Sequence, residues 1–536
     1  MASAKLTLLA AAFTLLSPSL TSAFPVYTFD PSTPSLFPRS SDSDSTNSLR
    51  QCLSSSGGYD QAYSTSSDYA TLRSSYNPLF DYKPLVITVP TTEADVSSIV
   101  KCVSAEGGKQ KLSPRSGGHS YEAYSLGGQD GSVVIDLRHL DTITVDKAAK
   151  KATVGAGVRL GTLAQKIWDQ GEFALPHGTC PMVGVGGHAL GGGFGFTTRA
   201  WGFLLDRITE MNMVDRDGNV LTVTNDKISD LWWALRGGGA NNFGIVTSFT
   251  FSLESAPKHI LNFSYSYKTN QDCAKAIVAL QQLTLSSDSQ TGFEPGFGGE
   301  LLIAGQAAGD FDNNACRLSG QHINTSRASH DHLINLFHVI AGIKPSQVQV
   351  KPFTSWIQSL VDIMGSLDVR DRAGKDHEQF YAKSLVQPLI PTYNYDSALK
   401  LVNKLNAYAN LQGTGNSISF DFLGPLSYSA TKVKTQESSF NAHKAAFIYQ
   451  FYSYGFPDND NPQAQKQVHE AYDDLVNTAK SSNDNVQWGA YVNYVDARLQ
   501  DWPKAYYGDS LTRLKHLKKK WDPENIFDFP QGLAHA

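Results

Sequence analysis

Pro114-Arg115-Ser116-Gly117-Gly118-His119-Ser120-Tyr121 and His177-Gly178-Thr179-Cys180-Pro181-Met182-Val183-Gly184-Val185-Gly186-Gly187-His188 are the two stretches whose reading decides the fold. Each is dense in glycine, and each carries a nucleophilic side chain at its centre, His119 in one and Cys180 in the other. Glycine lets backbone N–H groups crowd against a flat or anionic ligand, because no side chain stands in the way. Two such loops predict a cofactor gripped from two sides. Few cofactors can bond covalently to both an imidazole and a thiol; a flavin can.

The second stretch continues through Ala189-Leu190-Gly191-Gly192-Gly193-Phe194-Gly195 and contains near-matches to the glycine fingerprint of dinucleotide-binding folds. That fingerprint requires a hydrophobic strand before it and a helix after it. His177-Gly178-Thr179-Cys180-Pro181 is no strand. The run is therefore read as a loop threading close past a large planar ligand.

At 536 residues the chain exceeds what one hydrophobic core holds, so two domains are expected. Charged residues make up 18%, below the ~25% usual in soluble chains, which suits a compact, glycine-rich globule. A net charge of −5 gives no reason to expect nucleic acid or a membrane surface as partner. Residues 1–23 read as a secretory leader: Lys5, an apolar run over 6–16, and Thr21-Ser22-Ala23 for cleavage. No later stretch reaches the ~18 apolar residues of a membrane span. An extracellular monomer is expected, with Asn262-Phe263-Ser264 and Asn324-Thr325-Ser326 as glycan acceptors. Five cysteines is an odd number for an oxidising compartment. Cys52 can pair with Cys102 and Cys273 with Cys316, which leaves Cys180. The 14 histidines show no zinc-type spacing, so no metal is expected.

Residues 24–49 are rich in Ser, Pro and Thr and read as loosely ordered. Helical spacing of Val96, Ile99, Val100 and Val103, with Thr92 and Asp95 as a capping box, predicts a helix over 91–105. Strands are expected over 131–137 and 151–158, and a helix over 160–170 ended by Gly171. Asp217-Gly218 between two apolar runs signals a hairpin. Phe243-Gly244-Ile245-Val246 opens an alternating strand, and Ser255-Ala256-Pro257 is a candidate domain boundary. A last helix is expected from Leu511 to Asp522-Pro523.

Arg115 to Tyr121, Gly178 to His188, Trp233-Ala234-Leu235-Arg236-Gly237-Gly238-Gly239 and Asn493-Tyr494 with Asp496 occur in this order. Together they resemble the berberine-bridge-enzyme-like branch of the vanillyl-alcohol-oxidase flavoproteins, and within it the fungal gluco- and chitooligosaccharide oxidases. The resemblance implies an α+β, two-domain FAD-linked oxidase fold. An FAD domain of two α+β subdomains would span 50–254. A substrate domain with an antiparallel sheet covered by helices would span 255–488, and 489–536 would return to the FAD domain. It implies FAD attached bicovalently, through His119 to the 8α carbon and through Cys180 to C6. Arg115, Ser116, Gly117, Gly118, Ser120, Gly184, Gly187, His188, Gly192, Gly195, Gly244, Ile245, Val246, Tyr491 and Asn493 would complete the cofactor site. Val183 matches the small residue that oxidases of this family set beside the oxygen-accessible face.

The resemblance further implies that Tyr494 is the catalytic base, with Asp421 accepting its proton, and that Tyr121, Lys383 and Gln450 belong to the substrate site. The implied activity is oxidation of the C1 hydroxyl of a reducing oligosaccharide to a lactone, with O2 reduced to H2O2. One departure stands out. Where the glucooligosaccharide oxidase pattern has a tryptophan and a glutamine that touch sugar, this chain has Ser417 and Ser419. A small secondary metabolite, an alcohol or an amine, is therefore the alternative substrate, to be distinguished by a closed apolar pocket.

Overall fold

Val86-Ile87-Thr88-Val89 and Val133-Val134-Ile135-Asp136 are unbroken runs without polar alternation, as expected for strands covered on both faces. In the computed structural model, which describes residues 43–305, 313–369 and 377–536, they are neighbours at the centre of a parallel unit. Strands β1 (Asp60–Ala62), β2 (Val86–Val89), β3 (Leu112–Arg115) and β4 (Val133–Asp136) form a sheet of order β1-β2-β4-β3, with β2, β4 and β3 parallel. Helix α1 (Ser43–Ser55) begins six residues before the end of the segment read as loosely ordered. Its Leu49 and Leu53 are wholly buried in the core, which supplies the order that local composition does not. The leader itself lies outside the described residues. After the short α2 (Tyr69–Leu72) comes α3 (Glu93–Ala105), capped as the sequence predicts. Thr92 Oγ1 accepts the Asp95 N–H, and Asp95 Oδ2 accepts the Thr92 N–H.

The next five long strands form an antiparallel sheet. They are β5 (Ile143–Asp146), β6 (Lys151–Gly155), β8 (Ile208–Val214), β9 (Val220–Val223) and β10 (Ile245–Ser252), in the order β5-β6-β10-β8-β9. Helix α4 (Leu160–Asp169) follows β6, and a two-residue strand β7 (Phe173–Ala174) pairs with β11 (Glu254–Ser255). The hairpin at Asp217-Gly218 forms, in a loop where Asp215 Oδ1 accepts the N–H groups of Asp217 and Asn219. Within the glycine run read as a loop, residues Val185–Leu190 are helical (α5). Val185, Ala189 and Leu190 share one face and pack into the core, so burial overrides the glycine content.

Beyond β11 lies a seven-stranded antiparallel sheet. Its strands are β12 (Ile260–Tyr267), β13 (Phe297–Ala304), β14 (Cys316–Ile323), β15 (Gln347–Phe353), β16 (Phe380–Pro388), β17 (Gly415–Phe422) and β18 (Ala445–Tyr454). They lie in the order β15-β12-β14-β13-β17-β18-β16. One face is apolar: Phe263, Tyr265, Leu301, Ile303, Ile418, Phe420, Tyr449 and Phe451 pack with helices Asn270–Leu285, Tyr395–Ala407 and Pro462–Lys480. The alternate residues point to the other face, where Ser264, Ser266, Glu300, Arg317, Ser417, Ser419 and Gln450 make it largely polar, with Leu302 among them.

The C-terminal segment comes back to the first sheet, where the Leu112 N–H donates to the Ile526 carbonyl at 2.8 Å. Helix Leu511–Trp521 packs by Leu514 on Gly238. Disulfides join Cys52 to Cys102 and Cys273 to Cys316. One expected glycan acceptor is excluded. Asn262 is buried on β12, and its amide donates to the Ser359 carbonyl and to Asp362. Asn324 is exposed in the turn after β14. No helix among the described residues is long and apolar enough to cross a membrane.

Candidate functional site

The two glycine loops meet backbone to backbone. A Cβ placed on Gly184 would lie 2.0 Å from the Gly117 nitrogen, and one on Gly117 would lie 2.2 Å from the Gly184 nitrogen, so neither position tolerates a side chain. Ser116 stitches the contact: its hydroxyl donates to the Ala156 carbonyl at 2.5 Å and accepts the Gly186 N–H at 3.2 Å. His188 Nε2 accepts the Gly178 N–H at 3.1 Å and so tethers the Cys180 loop to α5. Burial, helped by nearby His177, holds the His188 imidazole down to about 3, so this acceptor stays neutral at physiological pH. His119 and Cys180 thereby line one cavity of about 1470 Å³. The His119 ring is stacked on Tyr76 with centroids 4.0 Å apart.

Ser116, Gly117, Gly118, Ser120, Val183, Gly184, Gly187, His188, Gly244, Val246, Tyr491 and Asn493 line the same cavity. The Tyr491 hydroxyl accepts the Gly193 N–H and the Asn493 amide, while Asn493 also donates to the His188 carbonyl. Four expected cofactor residues stand behind the wall instead. Arg115 donates to the Leu72 and Ser74 carbonyls and lies beneath Gly118. Gly192 fits under Phe440 and Tyr491, and Gly195 under the His177 carbonyl. Ile245 points into the core, because strand alternation sends Gly244 and Val246 to the cavity.

At the inner end, Tyr494 and Tyr121 lie ring on ring, 5.5 Å apart and 7° from parallel. Gln450 Nε2 donates to the Tyr121 hydroxyl at 2.6 Å. Burial keeps the Tyr494 phenol well above its usual range, and the neighbouring Tyr121, Asp421, Tyr491 and Glu300 add to this. Asp421 on β17 is directly opposite Glu300 on β13 and accepts the Ser419 hydroxyl at 3.2 Å. Burial raises both carboxyls, and the Glu300 charge raises Asp421 further. Two adjacent buried carboxyls cannot both ionise cheaply, so each disfavours the other's charged form. Glu378 accepts the hydroxyls of Tyr76 and Tyr452, at 2.8 and 2.9 Å. Sequence reading missed Glu300, Glu378, Tyr76 and Tyr452. For Glu300 the usable signal is that it is the one charged residue in the otherwise uncharged strand Phe297–Ala304.

Lys383 is not in this cavity. It faces the other way from β16 and is buried, with Nζ 2.8 Å from Asp496, 3.0 Å from Asp473 and 3.1 Å from the Tyr381 hydroxyl. The expected substrate contact is thus an ion cluster behind the site. Asp496 follows Tyr494 by two residues, and Glu122 follows Tyr121 by one. The Ala497 N–H donates to Glu122 and so joins the two loops. Burial pushes the Glu122 carboxyl up to about 7, against the pull of that N–H.

The cavity fits a flavin nucleotide. Its donors are backbone groups of glycines whose Cβ positions face open space, as at Gly187, or other backbone, as at Gly117 and Gly184. Its two nucleophiles, His119 and Cys180, come from opposite loops.

Comparison with known proteins agrees. Residues 84–224 match the FAD binding domain family, and residues 490–534 match the berberine and berberine-like family. A xylooligosaccharide oxidase of Thermothelomyces thermophilus is 30% identical over 479 residues, covering 88% of this chain and 91% of that protein. The structure of a xylooligosaccharide oxidase from Myceliophthora thermophila C1 in complex with xylobiose is 30% identical and superposes with a TM-score of 0.80, covering 91% of this chain and 99% of that one. A glucooligosaccharide oxidase from Acremonium strictum, described with a 6-S-cysteinyl, 8α-N1-histidyl FAD, is 27% identical with a TM-score of 0.81, covering 91% of this chain and 100% of that one. With its paired glycine loops and its C-terminal tyrosine segment, the chain belongs to the berberine-bridge-enzyme-like FAD-linked oxidases, a family of FAD-dependent oxidoreductases.

Proposed function

We propose that the protein is a secreted oxidase of reducing oligosaccharides that converts the C1 hydroxyl to a lactone. The observation that carries this reading is the convergence of His119, Cys180 and the Tyr121–Tyr494 stack on one cavity whose remaining wall is the polar face of the seven-stranded sheet. His119 and Cys180 would hold the FAD covalently, with the glycines of both loops, Tyr491 and Asn493 around it. When bound, the flavin accepts a hydride and passes two electrons to dioxygen, which leaves as hydrogen peroxide.

The chain's own groups handle the proton. A phenol kept neutral by burial is a base only while it hands its own proton on. Tyr494 takes the C1 hydroxyl proton as it releases one toward the Asp421–Glu300 pair. Gln450 fixes the Tyr121 hydroxyl, and Tyr121 fixes the Tyr494 ring by stacking. These contacts would orient the C1 hydroxyl, and such positioning is what makes a transfer between two bound groups effectively unimolecular. Ser419 orients Asp421. The metabolite alternative calls for a closed apolar pocket, whereas this wall carries Ser, Gln, Glu and Arg side chains.

A peroxide-coupled screen against cello-, xylo-, chito- and malto-oligosaccharides and lactose tests the reading. Oxidation of at least one series, lost in Tyr494→Phe, supports it. Peroxide from none of them overturns it.

A further inference from the structure

Tyr76 reaches the cavity on a strap, residues 72–77, that both halves of the chain hold. Arg115 donates to the Leu72 and Ser74 carbonyls and lies beneath Gly118, so one guanidinium ties the strap to the His119 loop. From the other side the Glu378 N–H donates to the Tyr76 carbonyl at 2.9 Å. The Asn77 amide donates to the carbonyls of Tyr121 and Phe380, at 3.3 and 2.9 Å. The Tyr76 hydroxyl donates to Glu378 Oε2 at 2.8 Å, and the same oxygen accepts the Tyr452 hydroxyl at 2.9 Å. Burial, with the Glu378 charge, keeps both phenols protonated and so fixes them as the donors. Tyr76 is thus anchored by backbone and by side chain, and its ring lies against His119 with centroids 4.0 Å apart, 21° from parallel.

We propose that Tyr76, anchored by Glu378, is the positioning residue for attachment of the flavin to His119. This rests on the covalent FAD reading above and adds the side chains that build one of its two bonds. An imidazole bonds through its nitrogens, in the plane of the ring and not through its faces. A stacked neighbour therefore sets that plane without covering the nitrogen edges. The bond joins a ring nitrogen to the 8α carbon. One hydrogen leaves the nitrogen and one leaves the carbon, as two protons and two electrons, and dioxygen takes them all to become hydrogen peroxide. The chain's share is to hold the imidazole in one orientation while this happens, which removes a loss of rotational freedom from the barrier. A thiol has no plane to set, so the Cys180 bond does not depend on the stack.

The full chain carrying Cys180→Ala reports the His119 bond alone. It is produced under flavin limitation and incubated with excess FAD in air, and the flavin that stays with the chain after acid precipitation is followed with time. Adding Tyr76→Ala is expected to slow attachment about two- to twelvefold, the orienting preference of an aromatic pair. Adding Tyr76→Phe, which keeps the ring, or Glu378→Ala, which keeps the ring but releases its hydroxyl, slows it less than Tyr76→Ala. With Cys180 restored, the Tyr76→Ala chain carries acid-stable flavin as fully as the wild type, which a misfolded site would not. Attachment unslowed by Tyr76→Ala, or loss of acid-stable flavin from Tyr76→Ala with Cys180 in place, overturns the proposal and leaves the FAD reading standing. Tyr76→Phe or Glu378→Ala as slow as Tyr76→Ala overturns it too. No acid-stable flavin in Cys180→Ala itself overturns the reading that His119 bonds the cofactor.

Discussion

Lys383→Met tests whether this lysine belongs to the fold or to the substrate. Its ammonium touches two carboxylates of very different exposure. The Asp496 side chain is 3% exposed and that of Asp473 is 44% exposed. Loss of the partly exposed pair costs ~0–1 kcal/mol, since water and salt already screen it. Loss of the buried pair leaves the Asp496 carboxylate without its cation in a dry site, a change worth ~3–5 kcal/mol. Asp496 keeps the Arg498 N–H at 2.9 Å and the Tyr381 hydroxyl at 3.3 Å, which favours the lower half of that range. At ~2–4 °C per kcal/mol for a large domain, Tm is expected to fall by on the order of 10 °C, followed by flavin fluorescence on heating. The double variant Lys383→Met/Asp496→Asn removes the orphaned charge as well, so it should unfold above the single Lys383→Met variant. A Lys383→Met enzyme that unfolds within ~2 °C of the parent, or a double variant less stable than the single one, would refute the reasoning.

Glu122→Gln should flatten the pH dependence of Tm between about pH 5 and 8. The folded carboxyl sits at about 7 against a usual 4.5, so the folded state binds the extra proton, and stability falls as pH rises through that window. An unchanged Tm–pH curve speaks against this. His188→Leu leaves the Gly178 N–H without its acceptor, at a cost of ~1–3 kcal/mol, and should lower the fraction of protein carrying covalent flavin, read from the ratio of visible to ultraviolet absorbance. Full occupancy in that variant contradicts the tether. Tyr494→Phe should lower kcat by ~10²–10⁴ with a much smaller effect on KM; retention within tenfold of wild type excludes it as the base. Gly184→Ala should give little soluble enzyme, because its methyl group would meet the Gly117 backbone rather than a side chain that can move. Normal yield and Tm would show that the loops can part.

Much of the site was legible because its chemistry is local in sequence. The loops around His119 and Cys180 announce a flat ligand by their glycines, and the structure brings both to one cavity. The capped helix at Glu93–Ala105 and the hairpin at Asp217-Gly218 follow from turn and cap chemistry over a few residues. What was illegible depends on strand pairing. Glu300 faces Asp421 only because β13 lies beside β17, across 121 residues of chain. Lys383 carries a charge on a strand where either face is open to it, and the sequence gives no sign that Asp496 waits on the side away from the cavity. Asn262 reads as a glycan acceptor by its triplet, yet strand β12 turns it inward. The Val185–Leu190 helix was hidden by the same glycines that revealed the loop. Ser417 shows how a departure can mislead: it marks a missing ring, but Tyr454 on the adjacent strand reaches over to bond its hydroxyl at 3.0 Å and stands at the cavity wall.

The most direct test is to precipitate the purified protein in acid and follow the yellow colour. The account predicts that colour stays with the polypeptide in the wild type, in His119→Ala and in Cys180→Ala, and is released only when both residues are replaced. Colour that washes free of the wild-type chain, or that stays bound to the double variant, contradicts it.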